Sequence, residues 1–188
     1  QANLAAVQAT GTAGFAGQLG ALNLHYPDGR WNVKALAEQA LQDRGLAIKF
    51  PLEVMTQVSA INSPAKVPAH ASWAVDMRDK PWSSIDNPTS QDLDQLAYAE
   101  KLPNGDIRVH VAVTNVRSLV PKDSPLDKFM DVNTTSIYTA DEIFPLMPEK
   151  LSCDLISLTP GQDRFANIIE FTVHADGTTS DENCTQGL

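Results

Sequence analysis

Apolar residues recur along one helical face near the front of the chain. Val33, Leu36, Ala37, Ala40 and Leu41 follow the i, i+3, i+4, i+7, i+8 spacing of an amphipathic helix, which predicts a helix from Val33 to Arg44. Asn32 can cap its start and Gly45 suits its end. Pro51 stands where a first helical residue is tolerated, and Leu52, Val54, Met55 and Val58 predict a second, short helix. A connection with Pro and Ser, from Asn62 to Pro68, marks a boundary, and beyond it the period changes. The runs Leu96 to Leu102 and Ile107 to Val116 flank Pro103-Asn104-Gly105, and an Asn-Gly turn between such runs predicts a β-hairpin. Ile107 to Val113 alternates apolar residues with others, as a half-buried strand does. Phe165 to Val173 predicts a further strand, ending at the turn residues Ala175-Asp176-Gly177. From Thr178 to Leu188 the chain is polar and has no period. The fold class is α+β: a loosely structured and helical lead-in over 1–66, then a mixed α/β domain over 67–188.

Composition narrows the function. The chain has 188 residues, with 43% hydrophobic and 20% charged positions, which excludes wholesale disorder. Its net charge of −9 argues against a broad basic surface that coats nucleic acid. It is compatible with a nucleic-acid enzyme, because clustered carboxylates are how a protein holds magnesium. Cys153 and Cys184 are too few for a disulfide scaffold. No apolar run approaches the roughly 20 residues that a membrane-spanning helix needs. The chain opens on Gln1 rather than Met, as a fragment or processed product would. The stretch Gln1 to Leu22 lacks positive charge, which speaks against a signal or transit peptide, and its glycines at 11, 14, 17 and 20 predict a loose lead-in. A cytoplasmic monomer is the default expectation for a chain with no address signal.

The chemistry concentrates in one acidic loop. Ser84 to Gln95 puts Asp86, Asp92 and Asp94 within nine residues, ahead of a strand and around a proline. Asp92 and Asp94, two apart, point the same way if the chain there is extended, and Asp86 can fold back across the Pro-Thr-Ser turn. Spacing alone leaves two readings open: a solvated acidic loop, or an oxygen-donor site for magnesium or manganese. The EF-hand pattern does not fit, and no phosphate-cradling glycine loop or zinc-type Cys/His set is present. His25, His70, His110 and His174 are scattered and read as structural.

Three ordered blocks carry a resemblance. Asp86-x5-Asp92-Leu93-Asp94, followed by strand, hairpin and strand, resembles the opening of the catalytic domain of the ribonuclease II (RNB) family. Val120-Pro121-Lys122-Asp123-Ser124-Pro125-Leu126-Asp127 is similar to that family's segment after the second strand. Phe144-Pro145-Leu146-Met147-Pro148-Glu149-Lys150-Leu151-Ser152, then Ser157-Leu158 and Asp163-Arg164, resembles its Pro-Met-Leu-Pro-Glu-x-Leu-Ser…Ser-Leu…Asp-Arg signature. The resemblance spans about 85–177.

It implies part of an RNB-type catalytic domain, a processive 3′-to-5′ exoribonuclease that hydrolyses single-stranded RNA to nucleoside 5′-monophosphates with metal assistance. By resemblance Asp86, Asp92 and Asp94 hold magnesium or manganese or orient its water, with Asp94 foremost. Gln95 joins the ligand set where many members have a fourth aspartate. Tyr138 falls where the family stacks an aromatic ring on the terminal base; its plainer reading is a half-buried strand tyrosine. Arg164 either contacts phosphate or pairs with Asp163. Asn115 stands where the family usually has Asp. The family's catalytic domain is also much longer than this chain, and these departures motivate the alternative of a non-catalytic RNB-like module that binds RNA or a partner.

Overall fold

The computed structural model describes residues 24–67 and 72–188. The expected loose lead-in over 1–22, Pro68 of the boundary and His70 lie outside the described residues. The chain folds as two compact units, one comprising 1–59 with 123–148 and the other 60–122 with 149–188. Sequence reading put a single division near residue 66; the units instead interleave, because 123–148 packs with the front helices.

In the first unit the two expected helices are α1 (Val33–Gln42) and α2 (Leu52–Ala60). Asn32 caps α1, its side chain accepting from the Ala35 amide at 3.1 Å. The apolar stripe is shifted from its expected place: Ala35 and Leu41 are buried, whereas Val33 is 49% exposed. A third helix, α3 (Pro125–Asn133), has Ser124 as cap and Pro125 in its first turn. Its Leu126 and Phe129 are buried, and Phe129 meets Phe50 at 4.9 Å between ring centroids. Two side-chain amides join distant segments. Asn133 donates to the Ala47 carbonyl at 2.8 Å and accepts from its amide at 3.0 Å. Gln57 accepts from the Leu126 amide at 2.9 Å. A two-stranded hairpin, β4 (Ile137–Tyr138) with β5 (Ile143–Phe144), completes this unit. The strands of the second unit are β1 (Ala74–Val75), β2 (Gln95–Lys101), β3 (Ile107–Thr114), β6 (Ala166–Val173) and β7 (Thr179–Gly187).

These five strands form one sheet in the order β1-β7-β6-β3-β2, antiparallel except for β1 against β7. The expected hairpin is β2–β3, and Gly105 takes φ 96° in its loop, a conformation that favours glycine. The core face carries Ala112, Ala166 and Ile168 under Leu158, with Met77, Trp82, Leu93 and Leu96 packed against them. Strand β3 alternates as expected of a half-buried strand. His110, Ala112 and Thr114 are buried on the core face, and Val109, Val111 and Val113 lie half-buried on the opposite face. Strand β7 occupies the polar stretch that has no period. Most of its side chains are exposed, so its backbone pairing with β6 and β1, rather than apolar burial, defines it.

Candidate active site

The acidic loop leaves the sheet and returns to it at one point. Ser83 and Ala97 exchange backbone hydrogen bonds of 3.0 and 2.8 Å, closing the loop at its base. Within it Asn87-Pro88-Thr89-Ser90 makes a turn, closed by the Ser90 amide on the Asn87 carbonyl at 2.9 Å. This turn separates the limb bearing Asp86 from the limb bearing Asp92 and Asp94. Leu93 packs into the core, and its neighbours Asp92 and Asp94 are both exposed. That alternation belongs to an extended chain whose two aspartates share a side.

A buried serine fixes this limb. Ser157 is 0% exposed; its hydroxyl donates to the Gln91 carbonyl at 2.8 Å and accepts from the Leu93 amide at 3.1 Å. The next residue donates in turn, from the Leu158 amide to the Leu93 carbonyl at 2.9 Å. The Asp94 carbonyl accepts from the Thr114 amide at 3.0 Å, at the end of β3. Backbone on both sides of Asp92 is therefore held to the core. The sequence marks Ser157 only as part of the Ser-Leu signature and assigns it no role. A second signal is a lone hydroxyl in the apolar run Leu155-Ile156-Ser157-Leu158.

Electrostatics join the three aspartates. Partial burial, and then the charges of Asp92 and Asp86, push the Asp94 carboxyl above the ordinary carboxylate range. Asp92 and Asp86 are thus near enough for their charges to act on Asp94. Among the described residues, however, no three His, Cys, Asp or Glu side chains are gathered into a group that could hold a metal ion. The donor set fits magnesium or manganese in being all oxygen and in having a repulsion that a cation would relieve. Its carboxylates would have to be drawn in around that cation.

The remaining candidates sort by surroundings. Gln95, the first residue of β2, is exposed beside Asp94. Tyr138 belongs to the first unit and is 68% exposed on β4, which differs from a half-buried strand tyrosine. Arg164 is buried, and its guanidinium donates to the carbonyls of Asp154 and Asp163 at 3.0 Å each and to Gln162 at 2.6 Å. Asp154 lies in the π-helical turn Lys150–Leu155, so Arg164 ties down the end of that turn. Asp163 pairs at 2.8 Å with Arg78, not with its neighbour Arg164. Asn115 is buried too; it accepts from the Ser118 amide at 3.1 Å and donates to Asn167 at 3.2 Å. An aspartate there could not make that donation. His110 stacks on Tyr98 at 5.5 Å, and His174 bridges Asp106 and Ser180 at 2.8 and 2.9 Å.

Comparison with known proteins agrees with this architecture. The sequence matches the RNB domain over residues 74–188. The chain belongs to the RNB family. This RNB chain is 34% identical over 138 residues to Ribonuclease R of Escherichia coli, covering 73% of its own length and 17% of that protein. It is 30% identical over 151 residues to Ribonuclease R 1 of Lactococcus lactis, covering 80% of itself and 18% of the relative. It therefore spans less than a fifth of these relatives' lengths. Among solved structures, Mycoplasma genitalium RNase R in complex with ribose methylated single-stranded RNA superposes with a TM-score of 0.73 at 22% identity. That match covers 85% of this chain and 25% of the other. The mixed α/β fold is accordingly that of the RNB domain. Among the described residues no helix is long and apolar enough to cross a membrane.

Proposed function

We propose that this chain contributes the acidic loop of a 3′-to-5′ exoribonuclease that hydrolyses single-stranded RNA to nucleoside 5′-monophosphates. The observation that carries the reading is the limb Gln91 to Asp94. It is pinned to the core by Ser157 and holds Asp92 and Asp94 outward on an RNB fold, with Asp94 under repulsion from its two partners. Asp86, Asp92 and Asp94, with Gln95, would hold magnesium or manganese. Such an ion, when bound, supplies the polarisation of water and phosphate that phosphodiester hydrolysis needs. The chain's own part is positional. Ser157 and Leu93 keep the two aspartates on one side, and Tyr138 offers an exposed ring on which a terminal base can stack. Arg164 serves the framework, since its two terminal nitrogens donate to Asp154, Asp163 and Gln162. We also propose that the enzyme is monomeric and cytoplasmic.

The test is incubation of the intact protein with 5′-labelled single-stranded RNA, with magnesium and with EDTA. Stepwise shortening is expected with magnesium, and it should cease in EDTA and in Asp94→Asn while RNA is still bound. Binding with no shortening by the intact protein would establish the non-catalytic RNB-like module instead.

A further inference from the structure

The loop ahead of α1 shows its rings to solvent. Tyr26 is 43% and Trp31 59% exposed, yet the loop that carries them is tightly built. The Tyr26 amide donates to the Arg30 carbonyl at 2.8 Å, the Gly29 amide to the Tyr26 carbonyl at 2.9 Å, and the Asn32 amide to the Leu24 carbonyl at 2.9 Å. Gly29 takes φ 85°, which a residue with a side chain adopts only under strain. On this frame the rings are paired. His25 lies on Trp31 at 4.0 Å and 34°, and the Arg30 guanidinium sits 5.6 Å from the Tyr26 ring centre. Arg30 is itself fixed by Asp28 at 2.7 Å.

This loop is joined to Tyr138 within the same compact unit. Asn32 leads directly into α1, and Lys34 in its first turn forms a 2.8 Å ion pair with Glu142. Glu142 lies in the hairpin whose first strand ends at Tyr138, 68% exposed. Three exposed aromatic rings and a guanidinium plane are thus presented by one unit. Every nucleobase has a π face, so flat rings and arginine bind single strands with little regard to sequence.

We propose that the loop 25–31 is a base-stacking subsite for single-stranded RNA, additional to Tyr138. The proposal rests on the RNA reading given above. Rigid presentation matters to it, because rings already ordered in the free protein lose little freedom on binding.

Fluorescence anisotropy of the intact protein in EDTA, with 5′-fluorescein oligo(A) and oligo(U) of about 12 nucleotides, tests this directly. Trp31→Ala and Trp31→Leu should each weaken binding of both strands by about 5- to 150-fold, the loss expected for one stacked base. Trp31→Phe keeps a ring face and should retain most of the affinity. Because Trp31→Leu keeps apolar bulk, its loss beside retention in Trp31→Phe isolates the ring from a folding defect. Wild-type binding with unchanged affinity in Trp31→Ala would overturn the subsite and leave the loop to a protein partner. Equal loss in Trp31→Phe and Trp31→Leu would also overturn it. Failure of the wild type to bind either strand would instead defeat the RNA reading itself.

Discussion

Ser157→Ala is the sharpest probe of how this site is built. The hydroxyl is fully buried and bonds the backbone on both sides of Asp92. Its removal leaves the Leu93 amide without that partner, while the exposed Gln91 segment can turn to water. An unpaired buried group costs about 1–3 kcal/mol, so a loss of about 2 kcal/mol is expected. For a chain of this size that corresponds to a melting temperature lower by roughly 4–8 °C. The second consequence is local. Asp92 and Asp94 sit on the released limb, and a displacement of about 1 Å at a catalytic group can cost on the order of 100-fold in rate. Thermal denaturation and single-turnover cleavage of labelled RNA by the intact protein measure the two effects. Thr172→Val is the matched control: Thr172 is also buried, its hydroxyl has no hydrogen-bond partner among the described residues, and its removal should be neutral or stabilising. Equal stability of Ser157→Ala and wild type, with an unchanged cleavage rate, would refute the anchoring role.

Three further outcomes follow from the geometry. Burial and the charges of Asp92 and Asp86 raise the Asp94 carboxyl, so the stability associated with it is fully present below the ordinary aspartate value of about 3.9 and is lost as pH rises through the raised value. Asp94→Asn should therefore melt higher than wild type at pH 7 in EDTA, with the difference vanishing at low pH and narrowing with magnesium; a lower melting temperature at pH 7 would contradict the repulsion. Arg164→Ala should lower the melting temperature sharply, since carbonyls of Asp154 and Asp163 lose their donor, while RNA affinity holds; weaker RNA binding at unchanged stability would mark a phosphate contact instead. Tyr138→Ala should change the length of the final product on a denaturing gel, because an exposed ring that stacks a base contributes about 1–3 kcal/mol there; an unaltered end product would count against stacking.

What could be read from sequence was what neighbours in sequence decide. Asn32 caps α1 three residues away, and Pro103-Asn104-Gly105 turns one hairpin, so both features were legible before folding. The acidic loop was legible for the same reason, as proline and three aspartates lie within one short stretch. The misses are long-range. Ser157 meets its two partners 64 and 66 positions away, and Asn133 meets Ala47 across 86. No local period marks such residues, because one buried hydroxyl or amide satisfies its partners wherever the fold brings them together. Strand β7 was missed for a related reason: backbone pairing defines it more than side-chain burial does.

The carboxylates illustrate the division most closely. Their charge, and hence the cation they suit, is written in three adjacent-lying residues, but their direction is not. Asp92 and Asp94 face outward because Leu93 between them is drawn under the sheet and Ser157 holds the backbone on either side. A slip of one position would bury both acids and expose the leucine. An uncharged serine and a leucine therefore determine where the acid groups stand, and the raised Asp94 carboxyl reflects first its partial burial and then the like charges of Asp92 and Asp86, which a bound cation would offset.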